Sequence, residues 1–243
     1  MARQVAKRDR GSLSPLIVAL DLDTKKEVEA LLTRLGSMVR AYKVGMKLYT
    51  RYGPELLKLL KAKRKQIFLD LKFHDIPNTV AEACAEATRH GVDMLTVHCS
   101  GGGEMLRAAV KACRESAKKF RRQPPLVLGV TVLTSMSSLK EIGINTSIQT
   151  QVLHLAQLAR RSGLGGVVCS PQEISLLRGK LPRTFRIVTP GIRPAGSPQG
   201  DQKRVRTPAE AYGQGADALV VGRPIYQAAD PIGVARDILA QIP

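Results

Sequence analysis

The sequence predicts a single-domain α/β fold, a (β/α)8 TIM barrel, and two observations lead to that prediction. Eight short apolar runs alternate along the chain with segments of helical character. The length of 243 residues suits one large α/β domain, and no low-complexity linker divides it. A doubly wound open sheet is the alternative, but no GxGxxG motif follows the first apolar run. The barrel is therefore the favoured architecture.

The first half of the chain contains four pairs of a strand and a helix. Thr24 is a suitable N-cap for the first helix, and Gly36 ends it. The third helix begins at Pro77 and stops before Gly91, in keeping with the preference of proline for helix starts and of glycine for helix ends. The predicted strands are 15–22, 41–46, 67–73 and 93–98, and the predicted helices are 24–35, 54–63, 77–90 and 103–119.

The second half repeats the pattern with shorter helices and one long irregular segment. The predicted strands are 126–133, 165–169, 185–189 and 216–221, and the predicted helices are 148–162, 171–178, 208–213 and 231–242. A serine-rich turn follows the fifth strand. The segment 195–206 has no periodicity, and irregular loops of this length in a compact domain are usually functional. We predict that this segment, which contains Gln202, acts as a lid.

The third strand and the turn after it, IFLDLKFHDIPNTV at 67–80, contain charged residues in an apolar setting. Asp70 and Lys72 are two residues apart, so they are expected on the same face of the strand. Asp75 follows as the strand gives way to a helix. Buried charges are costly unless they are paired, and an alternation of Asp, Lys and Asp supplies that pairing. The alternative is a purely structural ion pair, with Asp75 as a helix-entry residue.

The start of the chain and the cysteines are less informative. Residues 1–12 are polar and basic and are predicted to be a flexible tail, so that the catalytic domain would be 13–243. This segment lacks the apolar region of a signal peptide, and no later run approaches the length of a membrane span. We therefore expect a cytoplasmic protein with no membrane partner. The four cysteines contain no CxxC pair, which indicates reduced buried thiols and no metal site.

The net charge of +18 is the unusual feature of the composition. It could indicate a polyanionic partner such as nucleic acid. However, the basic clusters fall at the ends of predicted helices, where cations interact favourably with the helix dipole. The chain also has no tryptophan and only 4% aromatic residues, which leaves little for bases to stack on. We interpret the charge as a solvated surface that steers a small anionic substrate, with no nucleic-acid partner.

Polar residues recur where the predicted strands end, which is where TIM barrels place their chemistry. Strand one ends at Asp21, strand two contains Lys43, and strand three closes with Asp70 and Lys72. His98 ends strand four and is interpreted as a hydrogen-bonded barrel-end residue. Thr134 follows strand five and is a candidate site residue, although it could simply cap the next helix. After strand eight, Gly222 allows backbone N–H groups to approach an anion, and the Arg223 guanidinium fits phosphate oxygens.

Taken together, these motifs resemble the orotidine 5'-phosphate decarboxylase family of the bacterial type. The resemblance extends in order from Pro15 to the C-terminus and rests on LDLKFHDIPNT, ALD at strand one, YKVG at strand two, TVLTS at strand five, TPGIRP with a downstream GDQ at strand seven, and VGRPI at strand eight. It implies loss of CO2 from C6 of orotidine 5'-phosphate to give UMP, the last step of de novo pyrimidine nucleotide synthesis, without cofactor. It also implies a homodimer with shared active sites.

The resemblance further implies a role for each candidate residue. Lys72 would stabilise the developing carbanion and protonate C6, and Asp70 would lie beside the substrate carboxylate. Lys43, Asp70, Lys72 and the partner's Asp75 would form an alternating catalytic array that keeps both lysines charged. Asp21 and Lys43 would also bind the ribose, and Thr134 would contact the pyrimidine. Arg193 is a candidate substrate-binding residue, with the alternative that it only braces the lid by pairing with an acidic side chain. The remaining implied contacts are those of Asp75 and Thr79, which would reach into the partner subunit's site, and of Gln202, Gly222 and Arg223, which would bind the phosphate.

Two other functions remain possible from the sequence. One is a metal-dependent sugar-phosphate decarboxylase or synthase on the same barrel, which would need a further acidic ligand near Asp70. The other is a non-enzymatic nucleic-acid-binding module, suggested by the positive charge. Sensitivity to EDTA would identify the first, and a steep salt dependence of RNA binding would identify the second.

Overall fold

A computed structural model describes residues 13–194 and 206–242 of the chain. Its parallel strands close into a barrel in chain order. The barrel closes where β1 pairs with β8, with Ile17 opposite Val220 and Val18 opposite Val221. The strands are β1 (Leu16–Ala19), β2 (Ala41–Gly45), β3 (Gln66–Phe73), β4 (Met94–His98), β5 (Leu126–Val130), β6 (Gly166–Val168), β7 (Arg186–Thr189) and β8 (Ala218–Val221). The predicted (β/α)8 barrel is confirmed.

Helices cover the outside of the barrel and connect successive strands. They are α1 (Lys25–Leu35), α2 (Met46–Tyr52), α3 (Pro54–Ala62), α4 (Pro77–Arg89), α5 (Gly102–Lys119), α6 (Ile148–Arg161), α7 (Ile174–Arg178), α8 (Pro208–Gly213), α9 (Arg223–Tyr226) and α10 (Pro231–Ala240). The start of α1 shows the predicted cap, since the Thr24 side chain accepts from the Glu27 N–H at 3.2 Å and Glu27 bonds back to the Thr24 N–H at 2.8 Å. The sequence prediction missed α2 and α9.

Both faces of the strands are buried, which explains why they appear in the sequence as nearly continuous apolar runs. Alternate residues such as Leu16 and Val18 pack against the surrounding helices. The residues between them fill the barrel interior, and that inner cluster comprises Ile17, Ala19, Ala41, Phe68, Met94, Leu128, Val188, Ala218 and Val220. The interior is therefore packed, and open space can occur only at the ends of the barrel.

Several predicted strands extend beyond the observed ones at their carboxyl ends. Strand one was predicted to reach residue 22 and strand five residue 133, but the ladders end at Ala19 and Val130. The residues that follow leave the ladder and line an open cavity: Asp21 after β1, and Val132 and Leu133 after β5. The apolar runs are longer than the strands because residues beyond the strand ends also line the mouth of the barrel.

Strand β3 contains an irregularity that the sequence did not reveal. Leu69 pairs with Leu95 of β4, but the next matched pair is Phe73 with Val97, so β3 has extra residues in between. Within this bulge Lys72 has a φ of 52°, a left-handed conformation that non-glycine residues rarely adopt. The Lys72 N–H donates to the Thr96 hydroxyl at 2.9 Å. Backbone strain of this kind collects at functional sites, where surrounding contacts fix it.

Two further expectations concern the cysteines and membrane-spanning helices. The free cysteines Cys84, Cys99, Cys113 and Cys169 are all buried, as predicted. Among the helices in the described part of the chain, none combines the length and the apolar character needed to cross a membrane. The predicted tail at 1–12 lies outside the described residues.

Candidate active site

A cavity of about 240 Å³ opens at the carboxyl ends of the strands. Every strand except β4 contributes to it directly or through the residues that follow it, because the parallel barrel brings all carboxyl ends to one rim. It contains most of the residues singled out from the sequence, namely Asp21, Lys43, Asp70, Lys72, Thr134, Arg193, Gly222 and Arg223.

One side of the cavity is a row of alternating charges. Lys43 Nζ lies 3.8 Å from Asp21 Oδ1 and 3.4 Å from Asp70 Oδ2. Asp70 Oδ1 lies in turn 3.1 Å from Lys72 Nζ. The expected pairing of Asp70 with Lys72 is therefore present, and the row extends through Lys43 to Asp21. Each interior member has a partner of opposite charge on both sides, which offsets part of the cost of burial.

Asp70 is the most constrained member of this row. Burial by itself raises the pKa of Asp70, but Lys43 and Lys72, together with hydrogen bonds from Lys72 and Thr96, outweigh it and hold the pKa below its ordinary value. The Thr96 hydroxyl donates to Asp70 Oδ1 at 3.0 Å and accepts from the Lys72 N–H. Asp70 is thus a fixed carboxylate anion at neutral pH.

Thr96 is a residue that sequence reasoning missed. It is fully buried in the middle of β4, and its hydroxyl connects Asp70 to the backbone of the bulge at Lys72. A polar residue inside the otherwise apolar run Met94–Val97 was the available signal. Its importance depends on the pairing of β3 with β4, which local sequence does not reveal.

The cavity is also lined by two arginines, Arg193 and Arg223. Burial and the positive charge of Arg223 both lower the pKa of Arg193. The pKa of Tyr226 lies above its ordinary value, because burial and the charge of Asp21 raise it more than the two arginines lower it. No acidic side chain within 13–194 and 206–242 forms an ion pair with Arg193, and most of the lid that it was expected to brace lies outside these ranges. Two arginines converging on one cavity favour a ligand with a doubly charged anionic group.

Gly222 lines the cavity directly before Arg223. A Cβ at Gly222 would lie 3.4 Å from both Ala19 Cβ and Tyr226 Cε1 and 3.7 Å from Asp21 Oδ2, which are ordinary contact distances. Without a side chain, the backbone at this position is accessible from the cavity.

Part of the cavity lining is apolar. Val130, Val132, Leu133 and Val168 contribute it from β5 and β6 and the residues after β5. Apolar side chains of this kind suit the face of a flat ring, and low local polarity strengthens neighbouring charges. The sequence identified these residues only as strand-forming, so their place in the site was also missed.

Three predicted site residues are not in the cavity of the single chain. Asp75 is exposed, and its carboxylate accepts a hydrogen bond from the Ile76 N–H at 2.7 Å. Thr79 is exposed in the first turn of α4. Gln202, with most of the predicted lid, lies outside the described residues.

His98 lies beside the charged row without lining the cavity. Its ring stacks on that of His74 with centroids 5.4 Å apart, and its Nδ1 is 3.3 Å from the Ser100 hydroxyl. Burial lowers the pKa of His98, and His74 and Lys72 lower it further against the opposing effect of Asp70. These contacts agree with the interpretation of His98 as a hydrogen-bonded barrel-end residue. In the described ranges, no group of His, Cys, Asp and Glu side chains has an arrangement suited to a metal ion.

Comparison with known proteins agrees with this geometry. Residues 14–238 match the family model described as "Orotidine 5'-phosphate decarboxylase / HUMPS family". The orotidine 5'-phosphate decarboxylase of Moorella thermoacetica is 49% identical over 230 residues, covering 93% of this chain and 91% of that protein. The enzyme of the same name from Vibrio cholerae is 49% identical over 225 residues, covering 92% and 96%.

A solved structure gives the same result. The crystal structure of orotidine 5'-phosphate decarboxylase from Lactobacillus acidophilus superposes with a TM-score of 0.83 at 38% identity, covering 93% of this chain and 98% of that chain. The family model spans nearly the whole described barrel, including every strand that lines the cavity. The chain therefore belongs to the orotidine 5'-phosphate decarboxylase / HUMPS family.

Proposed function

We propose that this chain decarboxylates orotidine 5'-phosphate to UMP and CO2, with Lys72 as the proton donor and without a metal or organic cofactor. The observation that supports this most is the arrangement of the cavity. Lys72 and Asp70, a lysine and a carboxylate in contact, share one cavity with an apolar lining and with the guanidinium groups of Arg193 and Arg223. A substrate with a reactive carboxylate, a flat ring and a phosphate fits this set of environments.

The difficulty of the reaction is electrostatic. When the bond from C6 to the carboxylate breaks, its electron pair remains on C6, and the ring offers this carbanion no ordinary electron sink. Interactions accelerate the reaction only if they favour that charge more than they favour the ground state. The Lys72 ammonium does so, and its N–H proton then passes to C6 to complete UMP. Lys72 regains a proton from solvent.

Asp70 contributes by its fixed charge. Since its pKa lies below the ordinary value, it stays anionic beside the position where the substrate carboxylate binds. Two carboxylates at close range repel, and this repulsion is relieved as CO2 leaves. Asp70 also orients the Lys72 ammonium through the 3.1 Å contact. Lys43 on the other side of Asp70 keeps the row charged, and with Asp21 it is placed to bind the ribose.

Phosphate binding would involve residues that follow β7 and β8. Arg193 and Arg223 supply the positive charge, Gly222 leaves the backbone accessible, and the resemblance adds Gln202 as a further ligand. Thr134 lines the cavity next to the apolar lining, where it can contact the pyrimidine. Because the phosphate is distant from C6, its binding energy can fix the orientation of the ring and favour closure over the site.

The test of the proposed function is a direct assay with purified protein treated with EDTA. The absorbance of orotidine 5'-phosphate should fall as UMP forms, at a rate that added divalent metal does not change. No turnover would contradict the proposal. Turnover that appears only after metal is restored would favour the metal-dependent sugar-phosphate enzymes of the same barrel instead.

The chain is further proposed to act as a homodimer with shared active sites. Asp75 and Thr79 are exposed at the carboxyl end of the barrel, next to the cavity's rim but outside it. At the same end the large apolar side chains of Ile76 and Met46 are 66% and 57% exposed. A second copy packed against this rim would cover both side chains and direct Asp75 toward its neighbour's Lys72. The cytoplasm remains the predicted location of the enzyme.

Mixing two inactive variants tests the shared site. Asp75→Asn and Lys72→Ala should each show very low activity alone. After subunit exchange, a mixed dimer contains one site with both defects and one site with neither. At equal amounts and random exchange we expect recovery of about a quarter of wild-type activity. If mixed dimers are confirmed by mass spectrometry and no activity returns, the two residues belong to the same site and the shared arrangement is wrong.

A further inference from the structure

The basic residues that appear scattered in the sequence converge on one face of the barrel. All connections from a helix to the next strand lie at the amino ends of the parallel strands, opposite the cavity described above. The connection from α3 to β3 contains Lys63 and Arg64, and the connection from α5 to β5 contains Arg121 and Arg122. The connection from α7 to β7 adds Lys180 and Arg183. We call these six residues the amino-terminal basic face.

Contacts confirm that distant parts of the sequence meet there. Arg122 packs across Gly91, where an added Cβ would lie 2.2 Å from Arg122 Nη1 and 3.4 Å from Lys61 Cε. A cavity of about 530 Å³ at this end is lined by Lys61 near the end of α3, Arg122 of the connection from α5 to β5, and Arg186 at the start of β7. Arg183 comes close to Arg178, since both lie within 3.3 Å of the position of a Cβ at Gly215.

Two carboxylates at this end are already neutralised. Asp93 pairs with Lys61 at 2.8 Å and accepts from the Ile67 N–H. Asp217 pairs with Arg178 and with Arg186, the latter at 3.0 Å. No carboxylate in the described ranges pairs with any of the six residues of the amino-terminal basic face. All six are exposed, so their charge is directed to solvent.

Catalysis does not account for this charge. The candidate substrate is small, and its phosphate and carboxylate would be bound at the carboxyl ends of the strands. The amino-terminal basic face is at the other end of a packed barrel, out of reach of that ligand. Interaction with the helix dipole favours one or two cations at each helix end. It does not explain why basic residues continue beyond the helix ends into the connections.

The composition of the face favours a phosphate backbone over a protein partner. Protein interfaces depend on large apolar anchors, whereas the large exposed apolar side chains Met46, Ile76, Leu133 and Ile142 all follow strand carboxyl ends. In the described part of the chain, Phe120 is the exposed large apolar residue at the amino end. A single strand would require several aromatic side chains for stacking, but a duplex can be bound through its phosphates alone.

We propose that the amino-terminal basic face binds double-stranded nucleic acid through its phosphates, without sequence preference and independently of the active site. Composition alone led to the opposite expectation, because helix ends that are far apart in sequence give no sign of sharing one face. The barrel topology supplies that information. Binding through phosphates should weaken steeply with salt, in proportion to the number of contacts.

The test compares two variants of the full chain that lose the same charge. The first carries Lys63→Gln, Arg122→Gln, Lys180→Gln and Arg183→Gln on the basic face. The matched control carries Lys26→Gln, Lys111→Gln, Lys140→Gln and Arg236→Gln, which are exposed elsewhere. Binding of a fluorescent mixed-sequence DNA duplex is followed by anisotropy over a range of salt concentrations. Circular dichroism melting establishes that both variants fold.

The basic-face variant should bind at least about tenfold more weakly at physiological salt, with a salt slope smaller by about 2 or more. The control should bind like wild type. Equal weakening of both variants would overturn the proposal, because only total charge would then matter. It would equally be overturned if wild type fails to bind, or if polyglutamate or anionic vesicles displace the duplex at matched charge concentration, which would indicate an acidic protein or a membrane surface.

Discussion

Replacing Lys72 with alanine should slow decarboxylation of orotidine 5'-phosphate by about 10⁴-fold or more, because carbanion stabilisation and proton donation are lost together. Lys72 Nζ is the cation in contact with Asp70 at the cavity, and no other described lysine contacts Asp70 except Lys43 on its far side. The fall should appear in kcat and in kcat/KM, since the interaction is made chiefly in the transition state. Stopped or continuous assays at saturating substrate measure both.

Lys61→Ala is the matched control for that variant. Lys61 also forms an ion pair with a carboxylate, Asp93 at 2.8 Å, but at the opposite end of the barrel. It should keep near-normal turnover, so a loss in Lys72→Ala cannot be ascribed to removal of a paired lysine in general. A folded Lys72→Ala protein with turnover close to wild type would remove Lys72 from the mechanism.

The second large effect is expected from Arg223→Ala. Arg223 lines the cavity together with Arg193 and follows β8, in the position expected for a phosphate-binding side chain of a TIM barrel. If phosphate binding energy orients the substrate, kcat/KM should fall by on the order of 3 kcal/mol, about 150-fold. An exposed ion pair accounts for about 1 kcal/mol at most, so a loss of this size indicates a role in the transition state.

Substrate pieces separate a phosphate role from a general defect. Orotidine without its phosphate should react equally poorly with wild type and Arg223→Ala, because the guanidinium then has nothing to bind. Added phosphite dianion should activate wild type far more than the variant. Arg236→Ala, an exposed arginine on α10, serves as the control and should behave as wild type. A loss of the same size on the truncated substrate would show that Arg223 acts through folding or through the pyrimidine region.

Much of this architecture can be predicted from the sequence because each barrel strand is marked by its own local pattern of apolar residues. Each strand is an apolar run, and the closed parallel order puts Asp21, Lys43, Asp70 and Arg223 at one rim without further information. Caps such as Thr24 are equally local. These features could be predicted because they depend on residues within a few positions of one another.

Features that depend on pairing between strands could not be predicted. The bulge that gives Lys72 its left-handed conformation exists because β3 and β4 are out of register there and because Thr96 accepts the Lys72 N–H. Asp70 and Lys72 do meet as expected, but through this irregular backbone and not through simple alternation. The same limit applies to the apolar lining formed by Val130 and Val168, which were identified only as strand residues.

Proton exchange at C6 of UMP tests the central claim, that Lys72 transfers the proton to C6. By microscopic reversibility, the group that donates this proton must also be able to remove it from the product. Wild-type protein incubated with UMP in D2O should replace hydrogen by deuterium at C6, detected by loss of the C6 proton signal in NMR. Lys61→Ala should exchange at the wild-type rate, and Lys72→Ala should show no exchange above the protein-free background. Exchange at an undiminished rate in folded Lys72→Ala would assign proton transfer to another group and contradict the mechanism.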